Sequence, residues 1–431
     1  MPASLFDRQI LVPFSKLTIA YSGGLDSHCL LHALANDAEY KSKLTAVHIN
    51  HDLSANANAW QVHCAKICAH LNIPFRAIKV KLEDVAGESL ESLARDARYR
   101  ALAHFVDRNT ALLTAQHQDD QAETLLLQLF RGAGIKGLAA MPKIKAFSAG
   151  WLVRPLLQTN RQTLQCYAKQ QQLQWVEDES NYQQYFNRNY LRHTIMPLLK
   201  QRWPEVEKTI ARSSAHCAIA TTLLDDLSLA DLHNCSDPAH MLSLRRLNKL
   251  PLNRQVNVLR EWLHQQSGYY PSSKLIKCLF KEVILARKDA QPQVAVGTGT
   301  VRRFKTALYF VVQNTDIDDN EYSWDWQQTA LRGAGFCLYA CNTWGAGLDT
   351  RKLPKRLIVR FRRGGEKIKP QGFSKTRRLK NLLQEWQVPM WQRQAIPLIY
   401  VQEQLVAVTG YCYHEDYTAM ATQSGIIVRA A

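Results

Sequence analysis

The chain has 431 residues, which at about 150 residues per domain suggests two to four domains and excludes a short peptide toxin or an isolated module. With 46% hydrophobic and 21% charged residues, and no apolar run near the roughly 18 residues a membrane span needs, the composition is globular and no membrane partner is expected. Its 54 Lys and Arg against 37 Asp and Glu leave +17, which points to a polyanion such as nucleic acid rather than to an acidic-protein class. Met1 to Val12 lacks a basic region followed by an apolar core and a small-residue cleavage site, so no secretory leader is expected. Ten cysteines, none in a Cys-x-x-Cys pair, read as reduced thiols of a cytoplasmic protein.

From the start of the chain, apolar runs alternate with helical patterns. Leu17 to Tyr21 reads as a strand ending in Gly23-Gly24, followed by a helix carrying Leu30, Leu31 and Leu34. Leu44 to Ile49 precedes a helix over 57–71, Phe75 to Val80 one over 89–105, and Ala111 to Thr114 one carrying Leu125, Leu126, Leu129 and Phe130. Such alternation predicts an α/β domain over 1–205, a doubly wound parallel sheet that binds ligands at the carboxyl ends of its strands. Residues 206–315 read as mainly helical, with a hairpin over 294–312, and 316–350 as a linker or domain edge. The remainder, 351–431, mixes strands at 357–361 and 398–401 with an amphipathic helix of Leu379, Leu382, Leu383 and Trp386, a small α+β domain.

Two segments carry chemistry. Ser22, Gly23, Gly24, Leu25, Asp26 and Ser27 lie where a strand gives way to a helix, so their backbone amides form an anion nest at the positive end of the helix dipole. Asp26 suits such a site only with a magnesium ion between it and the phosphates, and Gly-Lys-Ser/Thr is missing, so the loop is not of the Walker A kind. A plain turn with an Asp cap is the bland alternative. The second segment, His117 to Thr124, holds Asp119, Asp120 and Glu123 after the fourth strand, on the same sheet edge. Helix capping explains one or two of these acids, not three with a histidine.

With these residues in place the chain resembles the PP-loop ATP pyrophosphatases, and within them the tRNA(Ile)-lysidine synthetases. The likeness rests on the Ser22 loop, the segments His48 to Leu53 and Ala94 to Tyr99, the His117 block, Arg131-Gly132-Ala133-Gly134, Arg154 to Leu157, Asp178 to Asn181, Arg188-Asn189, Arg192, Leu285 to Ala290 and Val359 to Tyr400. One departure is Asn50, where many relatives have a histidine. The resemblance implies that the wobble cytidine of a CAU-anticodon isoleucine tRNA is adenylated by ATP and then attacked by free lysine, with release of pyrophosphate and AMP. It places ATP on the Ser22 loop with His51, magnesium on Asp26 and Asp120, and catalysis on Asp26, Asp119, Asp120, Glu123 and Arg98. It assigns substrate contacts to His117, Arg95, Arg131, Gly132, Gly134, Asn181, Arg188 and Arg192, and it is compatible with a homodimer.

The chemistry can be read independently. Holding a lysine amine neutral at pH 7 costs about 4.6 kcal/mol, so a carboxylate must take its proton or burial must lower its pKa. Asp119, Asp120 and Glu123 are candidates, with no division of roles among them. Arginines would stabilise charge building on the α-phosphate. Arg95 and Arg98 could equally be solvated helix-face residues, and Arg188 with Arg192, at i and i+4, a backbone clamp or a salt-bridge ladder. A metal centre at His48 and His51, Cys64 and Cys68, or Cys337 and Cys341 lacks a fourth ligand. Thiolation of tRNA, which needs paired cysteines or a cluster, is the enzymatic alternative; an RNA-binding protein with an inactive nucleotide loop is the other. Finally, residues 351–380 hold 13 basic residues against the single acid Glu366, and Arg362, Arg363, Arg377 and Arg378 are expected to lie along tRNA phosphates.

Overall fold

The structure is a computed structural model that describes residues 5–52, 54, 56–80, 90–179, 185–237, 241–287, 290–312, 320–328, 330–333 and 336–430. The chain divides into two compact units, Met1–Leu227 and Ser228–Ala431.

The first unit is built on a six-stranded sheet of β1 (Lys16–Ala20), β2 (Leu44–Asn50), β3 (Phe75–Lys79), β4 (Thr110–Leu113), β5 (Ile144–Phe147) and β6 (Gly150–Val153). Its order is β3-β2-β1-β4-β6-β5, parallel except for β5, which runs antiparallel to β6. Central strands rich in Leu, Ile and Val are covered on both faces: Leu17 and Ile19 of β1 and Leu112 and Leu113 of β4 are buried. The helix α1 (Leu25–Ala35) lays Leu30, Leu31 and Leu34 into the same core. Parallel registers such as Leu17 with Leu44 on one side and Leu17 with Ala111 on the other fix β1 between β2 and β4. The direction of winding reverses there, so the loops leaving β1 and β4 diverge and open a crevice at their carboxyl ends. Both chemistry-bearing segments start from those two strands. The β5–β6 edge hairpin was not anticipated, because four-residue strands with one exposed face carry too little periodicity to be seen.

The second unit contains the helices Leu252–Ser267 and Ser273–Leu279, whose Val258, Leu259, Trp262, Ile276 and Leu279 pack into one core. The segment expected to be a hairpin is a three-stranded meander, Gln293–Val296, Gly299–Phe304 and Ala307–Val312, extended by Leu242–Ser243. The linker expectation for 316–350 is corrected: its described residues include the strand Tyr322–Asp325, paired with Arg356–Arg360, and Phe336–Trp344, paired with Ser424–Ala430. They belong to the antiparallel sheets of the C-terminal part. The helix Leu379–Glu385 buries Leu379, Leu382 and Leu383 against Leu398 and Leu405. Strand alternation in Tyr322–Asp325 turns the Trp324 indole inward among Leu338, Leu357 and Val406.

Trp324 is only 1% exposed, so Trp324→Ala is expected to destabilise the second unit by about 3–5 kcal/mol in a denaturant melt. A tryptophan in a linker would give less than about 0.5 kcal/mol.

Candidate active site

The Ser22 loop is shaped by one backbone position. Gly23 has φ 84°, and a Cβ there would lie 2.7 Å from both Cys64 Sγ and Val176 Cγ2, so only glycine fits. The Val176 amide donates to the Gly23 carbonyl at 3.0 Å, and Gly24 caps α1. The hydroxyls of Ser22 and Ser27 are 3.0 Å apart, and Ser27 also donates to the Gly24 carbonyl. Leu25 is buried at the start of α1, whereas Asp26 stands in its first turn with a side chain 29% exposed. Behind the loop, His48 Nδ1 donates to the Tyr21 carbonyl at 2.9 Å, tying the end of β2 to the end of β1. Asn50, the departure from the family pattern, is structural here: its amide donates to Asn58 and Gln61, and its oxygen accepts from the Asp52 amide.

His117 caps the helix Gln118–Phe130, and its own amide donates to Asp120 Oδ2 at 3.0 Å. Its ring is fully buried and faces three carboxylates: Asp119 at 3.4 Å, Asp120 at 3.5 Å and Asp26 at 3.6 Å. Burial alone would favour the neutral ring, but the attraction of Asp120, Asp119 and Asp26 outweighs it and pushes His117 up to about 10. The expected direct substrate contact at His117 is therefore corrected: an imidazolium with no exposed surface holds the acids, and does not meet a ligand.

The acids have their own partners. Burial would raise the Asp119 carboxyl, yet His117, the Arg161 amide at 2.9 Å and Lys200 at 3.9 Å hold it down to about 2. Asp120 Oδ1 accepts from Arg188 at 2.8 Å and from Arg192 at 2.9 Å, and Glu123 takes the Nε of both arginines at 2.9 and 2.7 Å. His117 and these arginines keep Asp120 ionised against its burial, and the two acids in turn raise Arg188 and Arg192 against theirs. Arg192 sits in the π-turn Leu191–Ile195, directly after the short helix Asn187–Tyr190 that bears Arg188. Of the two readings of this pair, the salt-bridge ladder is the one observed, and it reaches across to another helix instead of along its own.

Four carboxylates thus meet one imidazolium, two guanidiniums and the Lys200 ammonium, and Asp26 pairs with His117 at 3.6 Å. Asp26 Oδ1 is buried without a hydrogen-bond partner, which suits a cation ligand. Asp120 does not suit one, because its oxygens are taken by Arg188, Arg192 and the His117 amide. Among the described residues no group of three or more His, Cys, Asp or Glu could hold a metal unaided. All ten cysteines are free thiols.

Other expected residues lie around this centre. Arg98 Nε donates to His51 Nε2 at 3.3 Å, and burial together with Arg98 pushes His51 down to about 4, a neutral acceptor. Arg95 places its guanidinium over the Tyr99 ring at 5.3 Å. Arg131, Gly132 and Gly134 form an exposed turn at the far end of the Gln118–Phe130 helix, about 15 Å along its axis from Asp120, so they do not touch the acid cluster. Asn181 lies outside the described residues. In the second unit Arg362 is 3.8 Å from Glu366, Arg363 pairs with Glu321 at 3.1 Å and Arg377 with Glu385 at 2.8 Å, while Arg378 is exposed.

Two supporting residues had been given no role. Arg154 is buried where β6 ends, donating from Nε to Gln116 at 3.1 Å and to the Pro142 carbonyl at 2.7 Å, which fixes the residue before His117. A charged residue directly after an apolar strand was the available signal. Gln121 donates to the Met141 carbonyl and to Ser214, both at 2.9 Å, anchoring the acid-bearing helix.

Comparison with known proteins agrees with this arrangement. A family model described as the PP-loop domain matches residues 4–199, the TilS substrate binding domain matches 242–309, and the TilS substrate C-terminal domain matches 357–429. The chain is 43% identical over 416 residues to the tRNA(Ile)-lysidine synthase of Coxiella burnetii, covering 95% of this chain and 92% of that protein. It is 40% identical over 406 residues to that of Legionella pneumophila, covering 93% and 92%. The same protein of Methylococcus capsulatus is 36% identical over 405 residues, with the same coverage.

A histidine whose folded pKa of about 10 exceeds its ordinary 6.5 contributes stability that is fully present below about pH 6.5 and lost as pH rises through about 10. His117→Asn is therefore expected to cost about 3–5 kcal/mol at pH 6, by leaving buried carboxylates unpaired, and progressively less towards pH 10. Denaturant melts of both proteins across that range check it; a pH-independent gap would mean that His117 acts by packing alone.

Proposed function

The chain belongs to the tRNA(Ile)-lysidine synthase family, and from that premise we propose how its residues divide the work of making lysidine on a CAU-anticodon isoleucine tRNA. The protein is a tRNA-modifying ligase that uses ATP. The observation that carries the proposal is the contact between His117 and Asp26, which joins the phosphate loop to the acid-bearing helix in one crevice.

In the first step the 2-oxygen of the wobble cytosine attacks the α-phosphorus of ATP, and pyrophosphate leaves. The amides of Ser22 to Ser27 and the α1 dipole would hold the phosphates, with the Ser22 and Ser27 hydroxyls as further donors. Magnesium, where bound, would take Asp26 as its protein ligand and neutralise phosphate charge. In the second step the ε-amine of lysine attacks carbon 2, AMP leaves with the former 2-oxygen, and the amine gives up a proton to a carboxylate. Asp26, at 29% side-chain exposure the most open of the four carboxylates, is the candidate to receive that ammonium. Glu123, at 3%, and Asp120 work through Arg188 and Arg192, which they hold at the crevice wall. Arg98, held through its Nε by the neutral His51, would supply a second positive edge for the α-phosphate.

Residues 1–205 are read as the catalytic domain and 206–315 as tRNA-binding, with 316–350 assigned together with 351–431 to a basic tRNA-binding end. Because Arg362, Arg363 and Arg377 carry acidic partners, exposed Lys367, Lys375, Arg378 and Lys380 are the better candidates for phosphate contacts. Free thiols at all ten cysteines fit a cytoplasmic setting, and a homodimer remains part of the proposal from the resemblance.

Mass spectrometry of isoleucine tRNA incubated with enzyme and ATP, with and without lysine, tests the function. The expected product is a cytidine that has gained lysine with loss of water, only when lysine is present; a thiolated base or no product contradicts it. Asp26→Asn is expected to lower pyrophosphate release at least about 100-fold while tRNA affinity stays within about twofold. Near-normal turnover in this variant would remove Asp26 from the site.

A further inference from the structure

The helix that begins at His117 ends outside the core. Phe130 is 68% exposed and Leu129 50% exposed, and Ile135 in the next turn is 44% exposed. Arg131 follows directly, also exposed, and then Gly132 with φ 69° and Gly134, around neither of which any atom comes within 4 Å of a Cβ position. An open aromatic face beside a guanidinium is how single-stranded nucleic acid is held: the ring accepts any base, and the cation takes the phosphate. The Gly132 and Ala133 amides close the helix, donating to the Leu129 and Gln128 carbonyls at 3.0 Å. The turn is firmly placed. Gln121 is joined to Ser214, and Lys136 to Asp225 at 3.3 Å, so the end of this helix is anchored along Val206–Cys235 and the nearby acid is already neutralised. Arg131 places an exposed positive charge directly beside the ring, which suits a polyanion.

Resting on the tRNA reading above, we propose that Phe130 is a stacking platform for an unpaired base of the anticodon loop, with the Arg131 guanidinium on the adjoining phosphate. The helix sets the spacing. From Asp120 to Phe130 is about 15 Å at 1.5 Å per residue, and a stacked strand advances about 3.4 Å per nucleotide. The platform therefore takes a base about four nucleotides along the strand from the reacting cytidine, at the far edge of the same loop. A substrate held at both ends of one rigid helix presents its wobble base to the acid cluster in a fixed register.

The test uses the full-length protein with Phe130→Ala and Phe130→Trp. Phe130→Ala is expected to raise the KM for tRNA about tenfold, the size of one base-stacking contact, with kcat and the KM for ATP and lysine within about twofold. Phe130→Trp, which keeps a ring, is expected to restore it. A tRNA carrying 2-aminopurine about four nucleotides from the reacting cytidine should be quenched on binding wild-type protein and not on binding Phe130→Ala. Unchanged KM and unchanged quenching in Phe130→Ala would overturn the proposal. So would a loss of self-association in sedimentation with tRNA binding intact, which would make the patch a contact between two copies. Failure of the wild-type protein to form lysidine would count against the proposed function, while quenching by binding still reads the platform.

Discussion

The site depends on a single buried charge. His117 is enclosed by Asp26, Asp119 and Asp120 at 3.4 to 3.6 Å, and each of the four groups would be costly to bury without the others. As an imidazolium it lets three carboxylates converge, one from the phosphate loop and two from another helix. A neutral ring would leave those acids repelling one another across the crevice, and the phosphate loop would lose its link to them. Arg188 and Arg192 extend the same logic to Glu123, and Asp26, the most exposed of the four carboxylates, is the one that a magnesium ion or an ammonium would meet.

The fold brings these groups together for a topological reason. The order β3-β2-β1-β4 reverses direction at β1, so the loop after β1 and the helix after β4 leave the sheet side by side. Gly23 permits the sharp exit, and Gly24 caps the start of α1. Arg154, through Gln116, fixes the approach to His117 from the neighbouring strand end.

Much of this was legible in the sequence because its signal was local. The phosphate loop is contiguous, its glycines and hydroxyls fall at a strand-to-helix junction, and the alternation of apolar runs with helical spacing gave the parallel sheet. What the sequence did not show were relationships between distant residues. Arg188 and Arg192 find Asp120 and Glu123 across separations of 65 to 72 residues, so a helical i, i+4 spacing could not tell a phosphate clamp from a carboxylate partner. His117 looked like a ligand contact because histidines often are; only its complete burial makes it an organising charge. Residues 316–350 read as a linker or domain edge, but two-residue alternation over Tyr322–Asp325 puts the Trp324 ring inside. Short strands such as β5 and β6 were missed for want of length.

The charge state of His117 is the most direct test of the account. Carbon-13 NMR of histidine-labelled protein, with His117 assigned by comparison with His117→Asn, would follow its ring as pH is raised from about 5 to about 11. The account predicts an imidazolium through neutral pH that deprotonates near 10. A ring that titrates near its ordinary 6.5 or below would show that burial outweighs the three carboxylates, and would contradict it.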